Sequence, residues 1–190
     1  MNKFKKSFIV IAATTILAVS GCAGNGGAVE IGQSHDNVKV GVNGEAKANF
    51  TVTGVTESEL SKVANLRIEG LDDGNVFFVN YTIQPVEGTF QERNNAALAP
   101  NHWVARLDPS SNNKRIQALD FGYFADGWDE DGCTMLTPEM HDQLAAGETV
   151  EACVIFVTEA DQSIDRIEYR INSISKKSGN AKGWVYESTN

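Results

Sequence analysis

The amino-acid sequence predicts an all-β domain: an antiparallel sandwich of two sheets, with one or two short helical turns. Three observations lead there. About eight short runs rich in β-branched and aromatic residues are separated by turn residues. Several runs alternate apolar and polar positions with period two, the pattern of strands buried on one face and wet on the other. No stretch of helical period is long enough to cover a sheet. The chain has 190 residues, 42% hydrophobic and 22% charged, ordinary values for one globular domain with a tether.

The predicted strands occupy residues 38–42, 48–55, 66–69, 76–86, 103–107, 116–124, 149–158 and 164–171, with 184–186 as a ninth that closes the chain. In the fourth, Phe77, Val79, Tyr81 and Ile83 alternate with Phe78, Asn80, Thr82 and Gln84, which predicts one buried and one mostly solvated face. Ile167, Tyr169 and Ile171 repeat the device against Glu168, Arg170 and Asn172. Residues 149–158 carry apolar side chains on both parities over their second half and predict a central strand. Turn chemistry falls at 71–74, 108–113 and 145–147. Thr137 followed by Pro138, with Gly147 beyond Leu144, predicts a short capped helix. Thr56 and Glu59 have capping-box spacing and predict a turn or two of helix. Asn49 and Asn80 begin N-x-T sequons, but both lie in predicted strands and read as outward-facing positions.

The N-terminal segment has the layout of a secretory signal. Lys3, Lys5 and Lys6 precede an apolar run from Phe8 to Val19, about 12 residues where a membrane-spanning helix needs about 20. The run ends in Val19, Ser20, Gly21 and Cys22, which resembles the lipobox of bacterial lipoproteins. That resemblance implies that the Cys22 thiol receives a diacylglyceryl group and that cleavage leaves Cys22 as the N-terminus. Two acyl chains then hold the protein stably to the outer face of the bacterial cell membrane. A plain signal peptide with an incidental cysteine is the alternative. The expected organisation is a signal peptide over 1–21, a flexible Gly-rich tether over 22–37 and the sandwich over 38–190.

Three cysteines leave one unpaired in a secreted protein, and lipidation of Cys22 removes the oddity. Cys133 and Cys153 are then expected to form a disulfide, which stabilises by about 3 kcal/mol on a chain-entropy account. Two thiols so spaced make half a zinc site at best. The formal charge is −9. Without the first 21 residues the chain carries 13 basic against 25 acidic residues, which argues against nucleic-acid binding.

The strand at 48–55, the long strand at 76–86, and Leu144, Gly147, Glu148 and Thr149 leading into Val154 and Phe156 resemble the telokin-like, immunoglobulin-related domain of many Gram-positive lipoproteins. The resemblance covers roughly residues 38–171. It departs at Ala146, where the family has proline, and at Cys153 inside the strand. It implies an immunoglobulin-like extracellular module without general catalytic residues, and fold analogy alone licenses no function.

No G-x-S-x-G, H-E-x-x-H or phosphate-binding glycine loop is present, and an enzyme is not expected. A carboxylate pair across a cleft would be needed for a hydrolase, and the sequence selects none. His35, His102 and His141 read as surface or capping residues. One segment stands apart: Asp126, Trp128, Asp129, Glu130 and Asp131, directly before Cys133. Asp126, Asp129 and Asp131 could offer oxygens to Ca²⁺, although the first ligand and closing glutamate of a helix-loop-helix calcium loop are missing. A solvated acidic loop pinned by the disulfide accounts for the same residues. Trp128 either anchors a partner or folds back over the disulfide. The expected function is a lipid-anchored binding module of the cell envelope, acting on an extracellular protein or envelope component. A calcium-dependent structural or adhesion module is the alternative, and a hydrolase comes third.

Overall fold

The computed structural model describes residues 27–40, 46–66, 73–90, 98–108, 110, 114–120, 129–130, 132–170 and 181–186. These form two stacked sheets around one main core. The first sheet contains β2 (Ser34–Val40), β3 (Ala46–Glu59), β4 (Asn75–Glu87) and β9 (Val150–Thr158), in that order and antiparallel throughout. The second runs β1 (Ala28–Glu30), β11 (Ala181–Val185), β10 (Ile164–Arg170), β5 (Trp103–Leu107) and β6 (Arg115–Gln117). All of its pairings are antiparallel except β1 on β11. A small hairpin of β7 (Asp129–Glu130) and β8 (Cys133–Thr134) and one helix, α1 (Pro138–Ala145), complete the domain.

The alternation read from the sequence sets the inner faces. Phe77, Val79, Tyr81 and Ile83 of β4 are buried and meet Trp103, Ile167, Tyr169 and Trp184 from the opposite sheet. The Trp103 ring lies 4.4 Å from that of Tyr81 and 5.4 Å from that of Tyr169, an aromatic centre in which ring geometry adds to area burial. A second cluster covers the outer face of β4 and β9. Val76, Phe78, Cys153 and Ile155 pack there against Val63, Cys133 and Met135. The apolar residues on both parities of β9 therefore have an occupant on each side, as a central strand requires.

Two connections stitch the sandwich along its sides. Leu119 N donates to Ile155 O from the segment after β6, and Gly32 N donates to Val52 O from the turn after β1. Trp184 Nε1 donates to Gln33 O at 2.9 Å. All described strands and both clusters thus fall between Gly27 and Tyr186, a self-contained core.

Four expectations are corrected. The expected tether over 22–37 is structured from Gly27 onward, because β1 adds to β11 and Val29 and Ile31 pack on the main core. Residues 22–26 lie outside the described residues. Thr56 to Glu59 continue β3 and do not form helix, because residues 75–78 offer them a complete antiparallel ladder. A 3-10 segment, Leu60–Leu66, follows instead. Ala118 N still donates to Trp103 O of β5, but Leu119 N turns to Ile155 O of β9, so residues 118–120 do not extend β6. Glu168, expected on a wet face, is buried. The predicted turn at 71–72, the strand at 67–69 and residues 121–124 lie outside the described residues. Helix α1 agrees with its signals: Thr137 Oγ1 accepts from Met140 N, Pro138 sits in the first turn, and Gly147 has φ +86° just past the end.

Candidate functional site

The outer face of the second sheet carries the densest charge among the described residues. Register places Arg166 of β10 opposite Arg106 of β5, and Arg106 opposite Arg115 of β6. Three arginines therefore stand in one row across three strands, about 10 Å end to end at about 4.8 Å per strand. Arg170 lies further along β10 on the same face. Four of the six arginines in an acidic chain are thus gathered on one surface. Like charges directly opposite on a sheet repel, so the row needs a compensating anion.

Glu168 is that anion. It sits between Arg166 and Arg170 on β10, and its side chain is 1% exposed beneath them. Arg170 Nη2 donates to Glu168 Oε2 at 2.8 Å, Arg106 Nε is in direct contact with Oε1, and Arg166 Nε lies 3.6 Å from Oε1. Burial disfavours the charged form of Glu168, but the Arg170 hydrogen bond and the Arg106 and Arg170 charges outweigh it and hold the carboxyl below the usual glutamate range. Arg115 is pulled the other way. Partial burial, then repulsion from Arg106 and Arg170, lowers its affinity for the proton more than Glu168 raises it.

The sheet is shaped to seat these side chains. Gly183 of β11 lies beside Glu168 in register, and a Cβ there would come within 2.5 Å of Arg166 Nε. The absent side chain leaves room for the guanidinium to lie flat on the sheet. Arg106, Arg166 and Arg170 carry five N–H donors each, whereas one carboxylate offers about four acceptor sites. Glu168 therefore orients the three guanidiniums about one centre. No ion pair reaches Arg115 from the described residues.

The disulfide is where the sequence placed it, with Cα atoms of Cys133 and Cys153 5.1 Å apart. It does not cross between the sheets. It ties β8 to the outer face of β9, beside a bridge from Met135 to Cys153. Asp126, Trp128 and Asp131 lie outside the described residues. Asp129 and Glu130 form β7, and Glu130 pairs with Cys133 across a two-residue connection in which Gly132 has φ +75°. A glycine in that conformation suits a tight hairpin turn. Among the described residues no group of three His, Cys, Asp or Glu side chains is placed to hold a metal ion.

Two of the three histidines are buried and not at the surface. His35 Nε2 donates to Gly183 O at 2.9 Å and its ring meets Trp184 edge-on, while His102 Nδ1 lies 2.6 Å from Arg170 O. Both therefore fix the backbone of the strands that carry the arginine face. Compared with protein-family models, with curated proteins and with solved structures, the chain gives no match.

Proposed function

We propose that the chain is a lipid-anchored binding module of a bacterial cell envelope, held to the outer face of the cytoplasmic membrane through diacylglyceryl on Cys22. The carrying observation is the cysteine balance. Cys133 and Cys153 pair with each other inside a buried cluster, and the third cysteine falls at the end of a lipobox-like sequence. A buried disulfide suits an oxidising compartment, in keeping with export. The sandwich of strands and the resemblance to telokin-like, immunoglobulin-related lipoprotein domains support the same reading. The charged outer sheet face supports binding over a purely structural role, since Arg115 stands exposed on it and pairs with no carboxylate of the described residues.

Expression in a bacterial host with metabolic labelling tests the anchor. The wild-type chain should incorporate fatty acid and partition into detergent, and Cys22→Ala should accumulate as an unlabelled precursor of full length. Normal cleavage of the Cys22→Ala chain would overturn the proposal.

A further inference from the structure

The N-terminal end of the described chain is fastened to the sandwich by few contacts, and one of them titrates. Residues 27–35 comprise β1, the turn that follows it and the first two residues of β2. Among these nine residues only His35 is buried. Just beyond it the ladder to β3 breaks in a bulge between His35 and Val38, where Asn37 takes φ +54°. The segment is therefore a strap, with the bulge as its hinge. Its fastenings are the pairing of β1 with β11, the pairs that Ser34 and His35 make with β3, a bond from Gly32 N to Val52 O, one from Trp184 Nε1 to Gln33 O, and one from His35 Nε2 to Gly183 O at 2.9 Å.

His35 joins β2 of the first sheet to β11 of the second. A carbonyl oxygen only accepts, so Nε2 carries the hydrogen of the neutral ring, and Nδ1 is the nitrogen left to take up an acid proton. The ring lies 4.7 Å from that of Trp184 and nearly perpendicular to it. A proton on Nδ1 therefore puts a charge inside the seam between the sheets. Burial is the largest cost of that charge; Lys182 on β11 and Arg166 on β10 add repulsion, and the bond to Gly183 O and the carboxylate of Asp36 on β2 offset only part of it. Glu168, level with Gly183 on β10, is taken up by Arg106, Arg166 and Arg170. Phe50, level with His35 on β3, and Val29, level with Trp184 on β1, carry no charge.

We propose that residues 27–35 form an acid-sensitive strap: neutral His35 latches it to β11, and protonation of that ring loosens β1, the turn and the start of β2 while the rest of both sheets holds. Loosening unpairs β1 and bares the edge of β11. On the anchor proposed above it also adds up to nine residues between the domain and the membrane, at most about 32 Å of extended chain. The latch itself does not depend on that anchor.

Hydrogen exchange of the unmodified full chain, followed peptide by peptide at about pH 7.5 and about pH 5.5 and corrected for the intrinsic rate, tests the strap. A released His35 titrates near 6.5, so this step in pH favours opening by about tenfold at most. Exchange in residues 27–35 should quicken several-fold, up to that ceiling, while residues 46–59 and 75–87 keep their rates. The midpoint should coincide with titration of the His35 ring followed by nuclear magnetic resonance. His35→Gln keeps a donor for Gly183 O and should show one corrected rate at both pH values, whatever that rate is. Equal wild-type rates at the two pH values would overturn the proposal, as would quickening that spreads equally through residues 46–59 and 75–87 or that persists in His35→Gln. Failure of acylation in cells is a separate result and overturns the anchor alone.

Discussion

Glu168 shows how a single residue can organise a surface. A carboxylate buried under three arginines is costly to remove, because the guanidiniums then face one another without compensation. Glu168→Gln should lower the unfolding free energy by about 2–3 kcal/mol, somewhat under the value for fully buried pairs because the arginines reach water. Chemical denaturation measures this directly. The pH dependence separates charge from packing. A carboxyl held below its ordinary pKa stabilises the fold above the unfolded value, about 4.3, and that stabilisation is lost as pH falls through the lower folded value. Wild-type stability should therefore fall on acidification below about pH 4, and Glu168→Gln should lack that portion of the fall. His35 acts in a higher window. Burial lowers its pKa despite the bond to Gly183 O, so the neutral ring is favoured in the fold. Stability from His35 is complete above the unfolded value, about 6.5, and declines as pH drops from there through the folded value. His35→Gln should flatten the melting-temperature profile in that range, and an unchanged profile would show that the ring does not couple to folding.

At the scale of elements, the disulfide and α1 form one unit clipped to a sheet that does not depend on it. Cys153 lies in β9, whose ladder to β4 runs from Asn75 with Thr158 to Ile83 with Val150. Replacing Cys133 and Cys153 together by serine should cost about 3 kcal/mol, and hydrogen exchange should quicken in residues 132–148 well before it does in β3 and β4. Uniform loss of protection across both sheets would instead make the bridge a determinant of the whole fold. The elements differ in how clearly the sequence announced them. Strand β5 was legible at its own bounds, since a compact apolar run ends at Asp108 and Pro109. Strand β1 was not, because its partner lies more than 150 residues away and only Val29 and Ile31 mark it. The Thr56 and Glu59 spacing signalled a helix start, yet the facing strand at residues 75–78 offered more hydrogen bonds than a short helix could. The arginine face was hidden for a related reason. Alternation marked Glu168 and Arg170 as facing away from the core, but only the register of β6, β5 and β10 gathers residues 106, 115, 166 and 170.

The first and last strands among the described residues close the sandwich. Strand β1, near the start of the described chain, pairs in parallel with β11 near its finish, and β11 is the only strand β1 pairs with among the described residues. Trp184 of β11 is fully buried between these ends: its indole N–H reaches Gln33 O, its ring receives the edge of His35, and its centroid lies 5.9 Å from that of Trp103. The main core is thus complete only when the last strand is present, and contacts of such sequence separation form late and at high entropic cost. Trp184→Ala should cost about 3–5 kcal/mol by leaving a cavity that the rigid sheets cannot fill. Deletion of residues 181–190 should do more. It strips β10 of one neighbour, unpairs β1 and exposes Ile167 and Trp103, so the shortened chain should bind a hydrophobic dye and lose its near-ultraviolet dichroism while keeping much of its strand signal. A sharp thermal transition in that chain, within a few degrees of the wild type, would show that the seven strands from β2 to β6, β9 and β10 suffice, and that the joined strands β1 and β11 serve the arginine face and not the core.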